Sequence, residues 1–170
     1  MADQEDRYPL PDINKKVRIT TLDDHRWQIV RRQKIGDRTV EAREKWMEFN
    51  PRYLSAYVEW DPGMMIRAHG HNSDHIVFVM AGSMMCGDRE CLPGTHLALD
   101  HGDTFGPFIA GPDGCTTYMI MMGDPGSFPA DPAGFEKLRQ ERGVEQLPDM
   151  DIEMPAFMKD PRNAVTKDGS

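Results

Sequence analysis

The sequence is short of cysteine, of long apolar runs and of surplus positive charge, and each shortage closes off a class of protein. Three cysteines in 170 residues cannot all pair within one chain, and none stands in the C-x-x-C spacing of a zinc ribbon. Cys86 and Cys91 flank an expected turn, but a cytoplasmic setting keeps thiols reduced, so packing is the role expected of them. The longest apolar stretches, such as IVFVMAG at 76–82, are far shorter than the roughly 20 residues that cross a bilayer. The first residues, MADQEDRYPLPD, are acidic and proline-punctuated, without the apolar core of a signal peptide, which gives a cytoplasmic expectation and no membrane partner. A net charge of −8 argues against a nucleic-acid partner, because a phosphate backbone requires a positive footprint. Arg31, Arg32 and Lys34 form a local basic cluster that reads as solvated surface. Internal repeats and low-complexity tracts are absent.

What remains fits one domain with irregular ends. Residues 1–50 are expected to form a polar arm (1–20) followed by a helix packed on the body. Thr39, Ala42, Trp46 and Phe49 fall at spacings of three and four, and Pro51 stops that pattern. From Tyr53 the character changes. YLSAYVEW (53–60), MMIRAHGH (64–71), HIVFVMAG (75–82), THLALD (95–100) and TTYMIMM (116–122) read as strands separated by Asp-Pro-Gly, Asn-Ser-Asp, Gly-Asp and Gly-Pro-Asp-Gly turns. Short strands at regular spacing predict a barrel or sandwich over 51–128. Both faces of 75–80 are apolar, which predicts a strand buried on both sides. Over 129–170, Asp131 is an N-cap, Pro132 suits the first helical position and Gly143 is a stop, so a short helix at 132–142 precedes an extended tail.

The chemistry is concentrated in AHGHNSDH. His69 and His71 are two apart on a predicted strand and emerge on one face. If Asn72-Ser73-Asp74 reverses the chain, His75 enters the next strand opposite His71 and shares that face. Three imidazoles buried together would repel if charged and would need partners if neutral; a metal ion meets both demands. The parity of His96 is not fixed by the sequence, so it is either a fourth ligand or turned outward. His101 reads as an exposed turn residue, His25 as solvated, and Asp74 as a turn aspartate rather than a support for a ligating ring.

These residues resemble the cupin superfamily. Its first motif reads G, five residues, H-x-H, three or four residues, E, six residues, G. Gly63, His69-Gly70-His71, His75 and Gly82 keep that spacing, with His75 in place of glutamate. Its second motif reads G, five residues, P-x-G, two residues, H. Gly94, Asp100-His101-Gly102 and Phe105 keep that frame, with Phe105 in place of the metal-binding histidine. The motifs span 63–108, and the strands extend the match to about 53–122. The resemblance implies an all-β, cupin-type double-stranded β-helix, or jelly-roll barrel, carrying a short N-terminal and a short C-terminal helix. It also implies one divalent metal ion, Fe2+ first, with Zn2+, Ni2+, Mn2+ or Cu2+ as alternatives, held by His69, His71 and His75 with or without His96.

Phenylalanine cannot ligate, so Phe105 is expected to form a substrate-facing wall, together with Phe108, Trp60, Met80 and Met119; the loop 106–114 is expected at the rim. Three function classes follow. The resemblance favours a dioxygenase acting on a small apolar or aromatic compound. A Lewis-acid lyase, isomerase or hydrolase would instead need a nearby general base, for which His96, Tyr57, Tyr118 or a carboxylate are available. A non-catalytic sensor would bind a metabolite without turnover. The resemblance further implies a homodimer.

Overall fold

Two long antiparallel strands organise the molecule. In the computed structural model, which describes residues 17–158, β5 (His69–Cys86) and β9 (Phe108–Pro129) pair along most of their lengths. The other strands are β1 (Gln28–Ile35), β2 (Arg38–Asn50), β3 (Tyr53–Trp60), β4 (Met65–Ile66), β6 (Arg89–Cys91), β7 (His96–Leu99), β8 (Thr104–Phe105) and β10 (Val144–Gln146). All pairings are antiparallel, in the order β10-β1-β2-β3-β9-β5-β6, with β4 on β9 and with β7 and β8 on β5. The single α-helix among the described residues, α1 (Pro132–Glu141), starts where the sequence predicts: Asp131 accepts from the Gly134 amide at 2.9 Å, and Pro132 fills the first turn. No helix of the described residues is long and apolar enough to cross a membrane.

The core lies between the inward faces of these strands. Val40, Ala42, Leu54, Val58, Val79 and Met84 are among its buried members. Burial of this kind is the main stabilising term, at about 25 cal/mol per Å2 of apolar surface. Gln33 is buried with its side chain bonded both to the amide and to the carbonyl of Met65, tying β1 to β4. One glycine of the resemblance is explained outright. Gly82 has φ +67°, and a Cβ there would lie 2.2 Å from the Gly114 carbonyl oxygen.

Several expectations are corrected. Residues 37–49 are not helical; Asp37 lies in a turn and the rest belong to β2, where Val40 and Ala42 face inward with a period of two. The spacing of three from Trp46 to Phe49 comes from a bulge between Trp46 and Glu48, which switches the inward parity from even to odd. A strand with one bulge thus imitates a helical stripe. The N-terminal helix is replaced by strands β1 and β2, preceded by a 3-10 turn at Leu22–Asp24. Most of the expected arm, and the tail beyond 158, lie outside the described residues. Asn72-Ser73-Asp74 is no reverse turn, since β5 runs straight through it. Residues 108–114 belong to β9 rather than to a rim loop. Nor is 75–80 buried on both sides: Val77 and Val79 point inward, while Phe78 and Met80 are exposed. The three cysteines are free thiols, Cys91 and Cys115 buried.

Candidate metal centre and cavity

A period of two along one uninterrupted strand gathers the histidines. Positions 69, 71, 75, 77 and 79 of β5 share the inward face, so three imidazoles project into the interior without a hairpin. His71 and His75 are almost fully buried. Ring centroids are 4.9 Å apart for His69 and His71 and 4.6 Å for His71 and His75. Two imidazoles sharing one ion through bonds of about 2.1 Å, at angles between about 90° and 110°, have centroids about 4.5–5.2 Å apart. The neighbouring pairs fit that range.

Five of the six ring nitrogens have a definite status. His69 donates from Nδ1 to the Arg67 carbonyl at 2.7 Å, and His71 donates from Nδ1 to the Pro125 carbonyl at 3.0 Å. The second bond depends on β9. Between the pairs His71–Ser127 and Ser73–Gly123, β9 carries two more residues than β5, and this excursion contains Pro125. Asp124 steadies it by accepting from the Gly126 amide at 2.8 Å. With Nδ1 protonated, each of these rings presents Nε2 as its lone-pair nitrogen, the form that binds a metal. Nε2 of His71 and both nitrogens of His75 are buried and have no hydrogen-bond partner. Buried polar atoms are paired in the great majority of cases, so these orphans call for a partner.

Electrostatics keeps the rings neutral. Burial pushes the pKa of His69 down to about 3, with the charges of His71 and Arg67 acting in the same direction. Burial also lowers that of His71, and lowers that of His75 well below the usual histidine value, with His71 and His69 adding to it. Among the described residues, no set of three His, Cys, Asp or Glu side chains stands grouped as an ion site. Rotation about χ2 re-aims an imidazole without moving the backbone.

The histidines open on a cavity of about 550 Å3. Phe105 is the cross-strand partner of His69, and its ring lies 4.9 Å from His69, 5.4 Å from His75 and 4.7 Å from Phe108. Phe105, Phe108, Trp60 and Met119 all line the cavity. Met80 does not, because Phe78 and Met80 alternate outward with Val77 and Val79 inward; past the register shifts at Val79/Ala81 and Gly82/Met84 the parity changes, so Met84 faces inward and with Met121 supplies thioethers instead. His96 also faces outward: it is exposed, pairs with Phe78, and leaves the inward side of β7 to Leu97 and Leu99. His101 is exposed and its amide donates to Asp74, which is a β5 residue holding a distant turn and not the turn aspartate expected. His25 is half-buried against Thr20. Tyr57 and Tyr118 are opposed on β3 and β9 and line no part of the cavity.

No family model matches the chain, and no curated protein matches it in sequence. Solved structures do resemble it. The polyketide cyclase RemF of Streptomyces resistomycificus aligns over 71% of this chain and 93% of its own, with TM-score 0.57 and 20% identity. A candidate acetylacetone dioxygenase of Methylibium petroleiphilum aligns over 78% and 98%, with TM-score 0.55 and 15% identity. A cupin-superfamily sugar phosphate isomerase of Silicibacter pomeroyi aligns over 67% and 82%, with TM-score 0.53 and 16% identity. The fold is that of the cupins. At such identities the likeness speaks for the fold alone, so the reading of this protein's chemistry rests on its own residues.

Sequence reasoning missed Glu44, Arg67 and the cover over the cavity. Glu44 lines the cavity from β2 and accepts from the Trp46 indole nitrogen at 2.7 Å. It was hidden because its segment reads as a helix; the alternation Val40, Ala42, Glu44, Trp46 is the signal that places it on an inward strand face. Phe135 and Arg139 of α1 reach the cavity, as do Leu147 and Ile152, which neither spacing nor composition assigns to it.

Proposed function

We propose that this cupin-fold protein is a mononuclear metal-dependent enzyme, with His69, His71 and His75 as the ligands, acting on a small organic compound with an apolar or aromatic body. The observation that carries this reading is the set of neutral imidazoles spaced closely along one strand, with Nε2 of His71 and both nitrogens of His75 buried without partners at the cavity wall. The ion, when bound, supplies Lewis-acid and, for iron, redox chemistry at coordination positions that three protein ligands leave open. The backbone carbonyls of Arg67 and Pro125 fix the orientation of two ligands. Phe105 stands where a fourth ligand would close the site; its ring keeps that side apolar and offers a surface for an aromatic substrate.

The preferred reaction is dioxygenation. It balances without a separate reductant, since both oxygen atoms end in the product, and the Phe105, Phe108 and Trp60 walls suit an apolar or aromatic substrate body. Glu44 favours a second reading, a Lewis-acid isomerase or lyase, because a carboxylate at the cavity wall can take or hold a proton. The deciding experiment is elemental analysis of untagged protein, followed by oxygen uptake with 1,3-diketones and phenols. Iron with oxygen consumption supports the first reading. Redox-inert metal with turnover under nitrogen supports the second, and binding of a ligand without turnover would leave a sensor.

A further inference from the structure

Three arginines line the cavity, and their partners differ. Arg31 donates to Asp149 at 2.9 Å and to the Val30 carbonyl at 2.8 Å. Arg139 pairs with Glu136 and reaches the Val144 carbonyl at 3.3 Å. Arg67 lies in the link between β4 and β5, two residues before His69, and is half-buried. Among the described residues its guanidinium donates to no acceptor and forms no ion pair, feeling only the charges of Arg31 and Asp149 at longer range. Burial and the neighbouring cation both work against the charged form. In a chain with 28 acidic and 20 basic residues, a partly desolvated cation without a carboxylate is conspicuous.

We propose that Arg67 anchors a carboxylate of the ligand, so that the cavity selects an organic acid with an apolar or aromatic body over its neutral counterpart. This deepens the reading of the cavity as a substrate site and rests on it. The planar fork of a guanidinium matches the two oxygens of a carboxylate, a geometry that an ammonium cannot reproduce. The cavity's own carboxylates do not take that place: Asp149 is bonded to Arg31, and Glu44 to the Trp46 indole. Phe105, Phe108 and Trp60 supply the complementary apolar walls. The main-chain carbonyl of Arg67 holds the His69 ring, so the anion seat and the candidate metal ligand are fixed by the same residue.

The test is calorimetric titration of 1-naphthylacetate and of its neutral amide, 1-naphthylacetamide, into wild type, R67M and R67K, each as purified and after chelator treatment. The wild type is expected to prefer the acid in both states, and R67M to lose about 10- to 100-fold in acid affinity while binding the amide within about threefold of wild type. Unchanged amide binding reports an intact cavity. If R67M fails to fold, R67K decides: it keeps the charge, loses the fork, and should bind the acid several-fold more weakly. Equal binding of acid and amide by wild type, no binding of either, or acid binding that survives R67M would each overturn the proposal. Acid binding that disappears with the metal but persists in R67M would assign the carboxylate to the ion, leaving the metal reading intact. Arg67-dependent acid binding in a protein that never takes up metal would support the anchor and defeat the metal centre.

Discussion

Replacing Phe105 with histidine should convert an open three-histidine site into a closed four-histidine one. Phe105 is in register with His69, and its ring centroid lies 4.9 Å from His69 and 5.4 Å from His75. Those spacings match the roughly 4.5–5.2 Å of imidazoles that share an ion, allowing for the larger phenyl ring. An imidazole at 105 could therefore reach the same cation by side-chain rotation alone. Metal affinity should rise at least 10-fold, since even outer partners of ligating histidines are worth about 10- to 100-fold. Without metal the new polar ring loses apolar contact with Phe108 and gains no assured partner, so F105H should be destabilised by about 1–3 kcal/mol. Zinc competition against a chromophoric chelator, with thermal melts in the presence and absence of EDTA, reads both effects. The expected signature is a wider gap between metal-loaded and metal-free melting temperatures than in wild type, with lower turnover because an open position is filled. Weaker or unchanged metal binding by a folded F105H would refute the placement of the ion.

Three further outcomes follow from the same geometry. H75L should abolish metal binding yet leave the metal-free protein as stable as wild type or more so, because it removes two buried nitrogens that lack partners; marked destabilisation in urea melts would show that His75 is satisfied without an ion. In chelator-treated protein, stability should fall as pH drops below 6.5, because the unfolded chain takes up protons that the buried rings refuse. His69, with its pKa near 3, contributes a loss of up to about 1.4 kcal/mol per pH unit between 6.5 and 3. Urea titrations from pH 7 to 5 check this, and H75L should flatten the profile; an identical slope in both proteins would contradict burial as the cause. G82A should destabilise by about 2–4 kcal/mol, since its Cβ meets the Gly114 carbonyl at a φ that alanine avoids; a melt within 0.5 kcal/mol of wild type, about the scatter of a neutral surface change, would show that the paired strands can relax there.

The sequence alone put the three histidines on one face and carried the cupin spacing, though it reached His75 through a reverse turn where the protein has one continuous strand. His69, His71 and His75 are all odd on one strand, and the extra residues at His71/Ser73 lie on β9, so alternation along β5 holds from 69 to 79. The same argument gave α1, whose cap and first-turn proline are local chemistry. Tertiary structure decided the rest. Only the pairing of β2 with β1 and β3 told a strand from a helix over 38–50, and that in turn brought Glu44 to the cavity. Only the pairing of β7 with β5 turned His96 outward, and only the excursion in β9 delivered the Pro125 carbonyl to His71. Register shifts and sheet closure are set by contacts between residues far apart in the chain, and no local pattern encodes them.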